Sequence, residues 1–197
     1  MGYVITITRQ FGSMGKEIAQ ETARILGWSF YERKQIEAEA AREDTTLAPM
    51  MQAGVKEYLR MEFPLGIGSE LKQEKMFQVQ SRLVEKHASE ENCVIVGRCA
   101  EYILRSHPHL LRCYIYAPEQ QRIANTTQKF GIAKGEFLPL IDTIDRAWEQ
   151  YYLKYTGYSM KNTEMRDLLL CSTLLGLEGS ARLIAAIAKE KFGLDQA

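Results

Sequence analysis

Apolar and polar positions along this chain fall into blocks of different period, and the first block is the most regular. Tyr3-Val4-Ile5-Thr6-Ile7-Thr8 is β-branched and apolar, the pattern of a strand buried in a parallel sheet. A turn of small residues follows, Gly12-Ser13-Met14-Gly15. Beyond it Ile18, Thr22, Ile25 and Leu26 recur at helical spacing, and Gly27 stands where such a helix would be capped. Helices are also predicted over 34–42, 50–61 and 70–90, the last long and amphipathic. Cys93-Val94-Ile95-Val96 is a second buried strand, ending at Gly97-Arg98, and residues 100–105 can make a short helix. Residues 110–116 form a third strand, ending at Ala117-Pro118. The stretch 119–158 is charged, helical and tyrosine-rich, with a break near Gly131. A fourth apolar run at 167–171 and a closing helix over 177–192 complete the pattern. Strands alternating with helices, without repeats or an obvious linker, predict one doubly wound α/β domain with a parallel sheet.

Composition narrows the function classes. The chain has 197 residues, within the size of one domain, and 46% of them are hydrophobic, enough for a real core. Lys+Arg and Asp+Glu are both 25, so the formal net charge is zero. That balance argues against a protein that mainly grips nucleic acid or anionic lipid, both of which call for a basic excess. A small phosphate ligand stays open, because it needs only a few placed cations and backbone N–H groups. Cys93, Cys99, Cys113 and Cys171 lack the spacing of a zinc or redox motif and read as buried free thiols. His87, His107 and His109 lie in polar surroundings and suggest no metal site. No apolar run approaches a membrane span and nothing resembles a signal peptide, so the expected compartment is the cytoplasm, with no membrane and no nucleic-acid partner. The oligomeric state stays open.

The turn after the first strand carries candidate chemistry. Binding phosphate requires a chain reversal whose N–H groups converge at the positive end of a helix. Glycines let the backbone close around the anion, and a lysine at the helix start reaches its oxygens. Arg9-Gln10-Phe11-Gly12-Ser13-Met14-Gly15-Lys16 supplies these parts in order between strand and helix. An ordinary strand-to-helix turn with a solvated Lys16 would read the same. Two positions depart from the P-loop pattern: Gln10 stands where a glycine is asked for, and Glu17 follows the lysine where Ser or Thr would hold magnesium. The metal ligand therefore stays open.

The segments ITITRQFGSMGKEIAQ, FYERKQI, VIVGRCAEYIL, IYAPEQQRI and IDTIDRAWEQYYLKYTG together resemble the successive signatures of the cytidylate kinase-like family, a branch of the nucleoside monophosphate kinases. The likeness runs from residue 3 to about 190. It implies a three-layer doubly wound parallel sheet of the P-loop nucleoside monophosphate kinase type, with a helical acceptor insert and a lid. The implied sub-regions are a core at 1–33 and 93–118, an acceptor-side insert at 34–92, a lid-like segment at 119–158 and a C-terminal core at 159–197. It further implies ATP with Mg2+ as donor and CMP or a related monophosphate as acceptor. Arg9, Gly12, Ser13, Met14, Gly15, Lys16 and Glu17 would then surround the donor phosphates. Tyr31, Glu32, Gly97 and Arg98 would face the acceptor. Lys16, Arg98, Arg122 and Arg146 would supply catalytic charge, with Arg122 at the hinge of the lid.

The resemblance breaks in the lid and beside it. An arginine expected three positions after Asp145 is Trp148, an asparagine expected after the fourth strand is Cys171, and an aspartate expected after Gly97-Arg98 is Cys99. Losing a lid cation removes charge where the transferring phosphoryl group needs it. Three readings follow: an active nucleotide kinase, a nucleotide-binding protein of the same fold with little or no catalysis, and a kinase for a non-nucleotide acceptor.

Overall fold

The computed structural model describes residues 1–45, 70–130 and 134–194; the helix expected over 50–61 and the break expected near Gly131 lie outside them. The elements run β1 (Val4–Arg9), α1 (Gly15–Leu26), β2 (Ser29–Tyr31), α2 (Arg33–Glu43), α3 (Glu70–Glu90), β3 (Cys93–Val96) and α4 (Ala100–Ile103). They continue with β4 (Leu110–Tyr116), α5 (Glu119–Phe130), α6 (Lys134–Thr156), β5 (Leu168–Cys171) and α7 (Gly176–Phe192). The five strands form one sheet in the order β2-β3-β1-β4-β5, and every neighbouring pair is parallel.

The apolar runs of β1 and β3 are explained by cover on both faces. Val4, Cys93, Ile95 and Leu110 pack beneath Ile36 and Ala40 of α2 and Met76, Val79 and Leu83 of α3. Their neighbours Ile5, Ile7, Val94 and Val96 face the other way, onto Ile18 of α1 and Ala181 and Ile184 of α7. Successive side chains of a strand point to opposite faces, so each run serves both layers at once. The result is the three-layer doubly wound sheet, with the chain starting at the central strand and building outward to both edges.

One strand has no counterpart among the elements expected from the pattern. Ser29-Phe30-Tyr31 forms β2 at the sheet edge, three residues long and only partly buried, too short to show a period. The histidines also differ from expectation at one position. His87 is largely buried, stacked on Tyr31 at 3.9 Å and hydrogen-bonded to Glu39 at 2.8 Å, because α3 packs its last turns against β2 and α2. Cys93, Cys99 and Cys113 are buried free thiols and Cys171 is partly buried. Burial, with Glu91 nearby, pushes the Cys93 thiol up to about 12. Among the described residues no helix is long and apolar enough to cross a membrane.

Candidate functional site

In an open parallel sheet ligands gather outside the carboxyl ends of the strands, where the connections diverge. Here β1 ends at Arg9, β2 runs into Glu32, β3 into Gly97-Arg98 and β4 into Ala117. All four ends meet the same side of the sheet.

The loop from Gln10 to Met14 is held from outside. Gln10 donates its backbone N–H to the Ile115 carbonyl at 3.0 Å, and its side-chain oxygen accepts from the Ala117 N–H at 3.2 Å. The residue that departs from the glycine pattern thus ties the loop to β4. Phe11 is clamped from α5 and α6: its N–H donates to Asp145 at 3.1 Å, and its carbonyl accepts from Arg122 Nε at 2.7 Å. Arg122 and Asp145 close the clamp with a 2.5 Å ion pair. Asn125 of α5 donates to the Gly12 carbonyl at 2.8 Å. The fully buried Ser13 spends its hydroxyl on the Gln10 carbonyl at 2.9 Å. Met14 caps α1 in a left-handed conformation with φ 61°. The N–H groups of Gly15 and Lys16 then open the helix without acceptors inside it, at its positive end.

Gly12 shows how tightly the loop is seated. Its φ is 76°, and a Cβ there would lie 2.7 Å from Thr126 Oγ1 and 2.8 Å from the Arg122 carbonyl oxygen. Gly12→Ala is expected to cost about 1–3 kcal/mol of stability, read as a lower urea midpoint with an unchanged slope. A midpoint equal to the parent's would show that the loop relaxes freely.

Two further acidic residues near the loop also have cationic partners. Lys16 Nζ lies 2.5 Å from Glu32 Oε2, so the residue at the head of α2 meets the lysine at the head of α1. Glu17 pairs with Lys129 of α5. Burial raises the Glu17 carboxyl, but Lys129, the backbone N–H of Glu17 itself and Lys16 outweigh it and hold the group below its ordinary range.

Across from the loop lies a cleft lined by Thr8, Arg9, Arg33, Gly97, Arg98, Trp148 and Tyr151. Gly97, Arg98 and Cys99 all have positive φ (72°, 60° and 55°), and two of the three carry side chains. Each such residue costs on the order of 1–3 kcal/mol, strain that tends to collect where geometry serves function. The turn sends Arg98 onto Glu37, with its guanidinium 5.7 Å from the centre of the Tyr151 ring. Glu37 also takes Arg33 at 2.8 Å, so one buried carboxylate gathers two arginines of the cleft. Arg9 stands over the Trp148 ring at 4.3 Å, as the third cation of the lining.

The residues singled out from the sequence divide in space. Arg9, Gly97 and Arg98 line the cleft, and Lys16 and Glu32 join α1 to α2 beside the loop. Arg122 is buried and committed to the Phe11 carbonyl and Asp145, a holder of the loop. Tyr31 lies outside the cleft lining: its hydroxyl donates to Glu91 at 2.6 Å, and burial together with that carboxylate raises its pKa well above the ordinary value. Arg146 is also outside the lining, on an exposed stretch of α6, 3.3 Å from Asp142. Arg33, Glu37 and Asn125 were not singled out. Arg33 lies inside FYERKQI, directly after Glu32, and its pairing with Glu37 at i,i+4 is the signal that was available.

The comparisons with known proteins agree with this geometry. The model of the cytidylate kinase-like family matches residues 4–174. The chain is 20% identical to the cytidylate kinase of Thermoplasma volcanium over 181 residues, 91% of this chain and 88% of that protein. Among solved structures it is similar to an uncharacterized protein from Eubacterium ventriosum, with TM-score 0.75 and 19% identity over 95% of this chain and 98% of the other. It is also similar in fold to shikimate kinase from Acinetobacter baumannii, with TM-score 0.51 and 14% identity over 98% and 94% of the two chains. A match over most of its length, joined to this sheet order, means that the chain belongs to the cytidylate kinase-like family and is a kinase-like phosphotransferase of the P-loop nucleoside monophosphate kinase fold.

Proposed function

We propose that this protein transfers a phosphoryl group from ATP to a small acceptor carrying an anionic group, with a CMP-like nucleoside monophosphate as the leading acceptor. The observation that carries this reading is the placement of Lys16 and the first turn of α1 beside a cleft lined by Arg9, Arg33 and Arg98. Phosphoryl transfer is mostly positioning and charge neutralisation, so cations on both sides of the reacting group are the needed equipment. Gly12, Ser13, Met14, Gly15 and Lys16 hold the donor phosphates, through backbone N–H groups and the lysine. Arg98 and Arg33 hold the acceptor's anionic group, which displaces Glu37 from its place between them. Glu32 yields Lys16 to the donor phosphates in the same way.

The donor set suits a magnesium ion carried mainly by the nucleotide. Among the described residues no cluster of three or more His, Cys, Asp or Glu side chains could hold a metal, and Glu17 is engaged by Lys129. Magnesium needs only one or two carboxylates when phosphates complete its shell, and Glu32, paired with Lys16, is one carboxylate beside the loop. Bound there with ATP, the ion would offset the charge of the phosphates. The engagement of Glu17 equally suits the second reading, a nucleotide-binding protein with little catalysis.

Purified protein with ATP, Mg2+ and a panel of nucleoside monophosphates and small hydroxy acids tests the proposal. ADP is expected to form with CMP well above an ATP-only blank. Transfer to a hydroxy acid alone would move the assignment to a non-nucleotide acceptor. If no acceptor yields ADP while ATP still raises Tm, the protein binds nucleotide without transferring phosphate.

A further inference from the structure

Trp148 stands where the family resemblance leads one to expect a lid arginine, yet the position is not without charge. Arg9 ends β1, and its stem runs past the start of α1 so closely that a Cβ on Gly15 would lie 2.6 Å from Arg9 Cβ. Its guanidinium reaches the turn after β3, where a Cβ on Gly97 would lie 2.5 Å from Nη1. One arginine therefore spans the gap between the helix that carries Lys16 and the turn that carries Arg98. The two glycines leave it room at both ends.

Trp148 sets the plane of that guanidinium, with the Arg9 head group 4.3 Å from the ring centroid. The tryptophan is itself fixed. Phe11 meets it edge-on at 6.0 Å, and it packs against both the Phe11–Ile141–Ile144 cluster and the Tyr114–Tyr152–Met160 cluster. A guanidinium on an aromatic face gives the ring its flat side and keeps its in-plane N–H donors for oxygen atoms. Both residues line the cleft.

We propose that Arg9 and Trp148 act as one unit: Arg9 contacts the phosphoryl group passing between donor and acceptor, and Trp148 is the positioning residue that holds Arg9 there. The proposal rests on the kinase reading above for its catalytic half only. Binding of a polyphosphate by Arg9 stands apart from turnover and is tested apart from it.

The chain has two tryptophans, so Trp28→Phe leaves Trp148 as the sole indole reporter. In that background inorganic tripolyphosphate is expected to shift Trp148 emission saturably, and Arg9→Met, with unchanged far-UV circular dichroism, is expected to abolish the shift. An unchanged response in Arg9→Met, or no response in the Trp28→Phe parent, overturns the proposal whether or not the protein is a kinase. With an acceptor that supports ADP formation, Trp148→Leu is expected to lower kcat by about 10- to 100-fold, the scale of a misplaced catalytic group. KM for ATP should move less than about threefold in the same variant. Trp148→Phe, which keeps an aromatic face, should recover most of kcat. A purely structural Trp148 predicts instead a loss of Tm with kcat per folded molecule unchanged, and that result overturns the positioning role. If no acceptor gives ADP, the kinase reading falls and the fluorescence titration decides the Arg9 site alone.

Discussion

Replacing Lys16 with alanine is expected to lower ATP-dependent phosphoryl transfer by about a hundred- to a thousandfold, the scale of removing one preorganised charge from a reacting group. Lys16 is the cation that the loop delivers at the positive end of α1, and the N–H groups beside it are fixed by contacts that do not involve its side chain. The loss should therefore fall on binding and turnover, and the loop should keep its shape. Folding should change little, since the Lys16 side chain is 38% exposed and its partner Glu32 21% exposed. A pair of that exposure contributes at most about 1 kcal/mol. The measurement is kcat/KM for ATP beside a denaturation curve. A variant that binds and turns over ATP like its parent would remove the loop from the donor site, and a large drop in Tm would make the loss of activity uninterpretable as chemistry.

The strand, turn and helix that carry Lys16 were legible because they are local: β1, two glycines and the lysine fall within residues 4–16. β1, β3 and β4 were legible for a related reason: cover on both faces leaves a largely apolar or β-branched run, broken inside β4 only by Arg112. β2 was not, because three half-buried residues at a sheet edge show no period. The cleft was only half visible. Arg98 announced itself at a strand end, but Arg33 stands in a charged stretch with no strand end to mark it. Its partner Glu37 sits one turn away, and only the fold brings Arg98 to the same carboxylate.

The same limit applies to α6. Read along the chain, Trp148 is a cation missing from α6; in space it is the support for a cation on β1. Arg122 is another case that the chain alone does not show: the resemblance implies catalytic charge there, and the fold also joins it with Asp145 on the peptide of Phe11, where the two hold the loop after β1. Arg146, the next residue, turns outward to Asp142 because α6 buries the positions of Ile141, Ile144 and Ala147. Helical phase decides which of two adjacent charges reaches the loop, and phase in this segment is set by packing of Ile141, Ile144 and Trp148 against Phe11 and Ile123.

Arg166→Met should cost about 3–5 kcal/mol of stability, the penalty for leaving one member of a buried ion pair without the other. The Arg166 and Glu101 side chains are 1% and 2% exposed, and the two groups approach to 3.2 Å. Arg166 also donates to the Tyr152 hydroxyl at 3.1 Å and to the Met160 carbonyl at 3.0 Å, so it anchors the end of α6 and the segment after it. Burial pushes the Glu101 carboxyl above its ordinary value, and Arg166 works against that shift. A carboxyl whose folded pKa is raised binds its proton more tightly folded than unfolded, so its contribution to stability falls as pH rises from the unfolded value toward the folded one. Removing Arg166 raises the folded value further. The deficit of the variant should therefore be largest near neutral pH and shrink as the pH falls toward about 4.5, the ordinary value of the group, because both folded values lie above it. Denaturant midpoints at pH 7 and pH 4 for the parent and Arg166→Met measure this directly. Adding Glu101→Gln to the variant should recover part of the loss at pH 7, because the stranded charge is gone. A deficit that does not change with pH would place the cost in the lost hydrogen bonds to Tyr152 and Met160, and the buried charge would then contribute little.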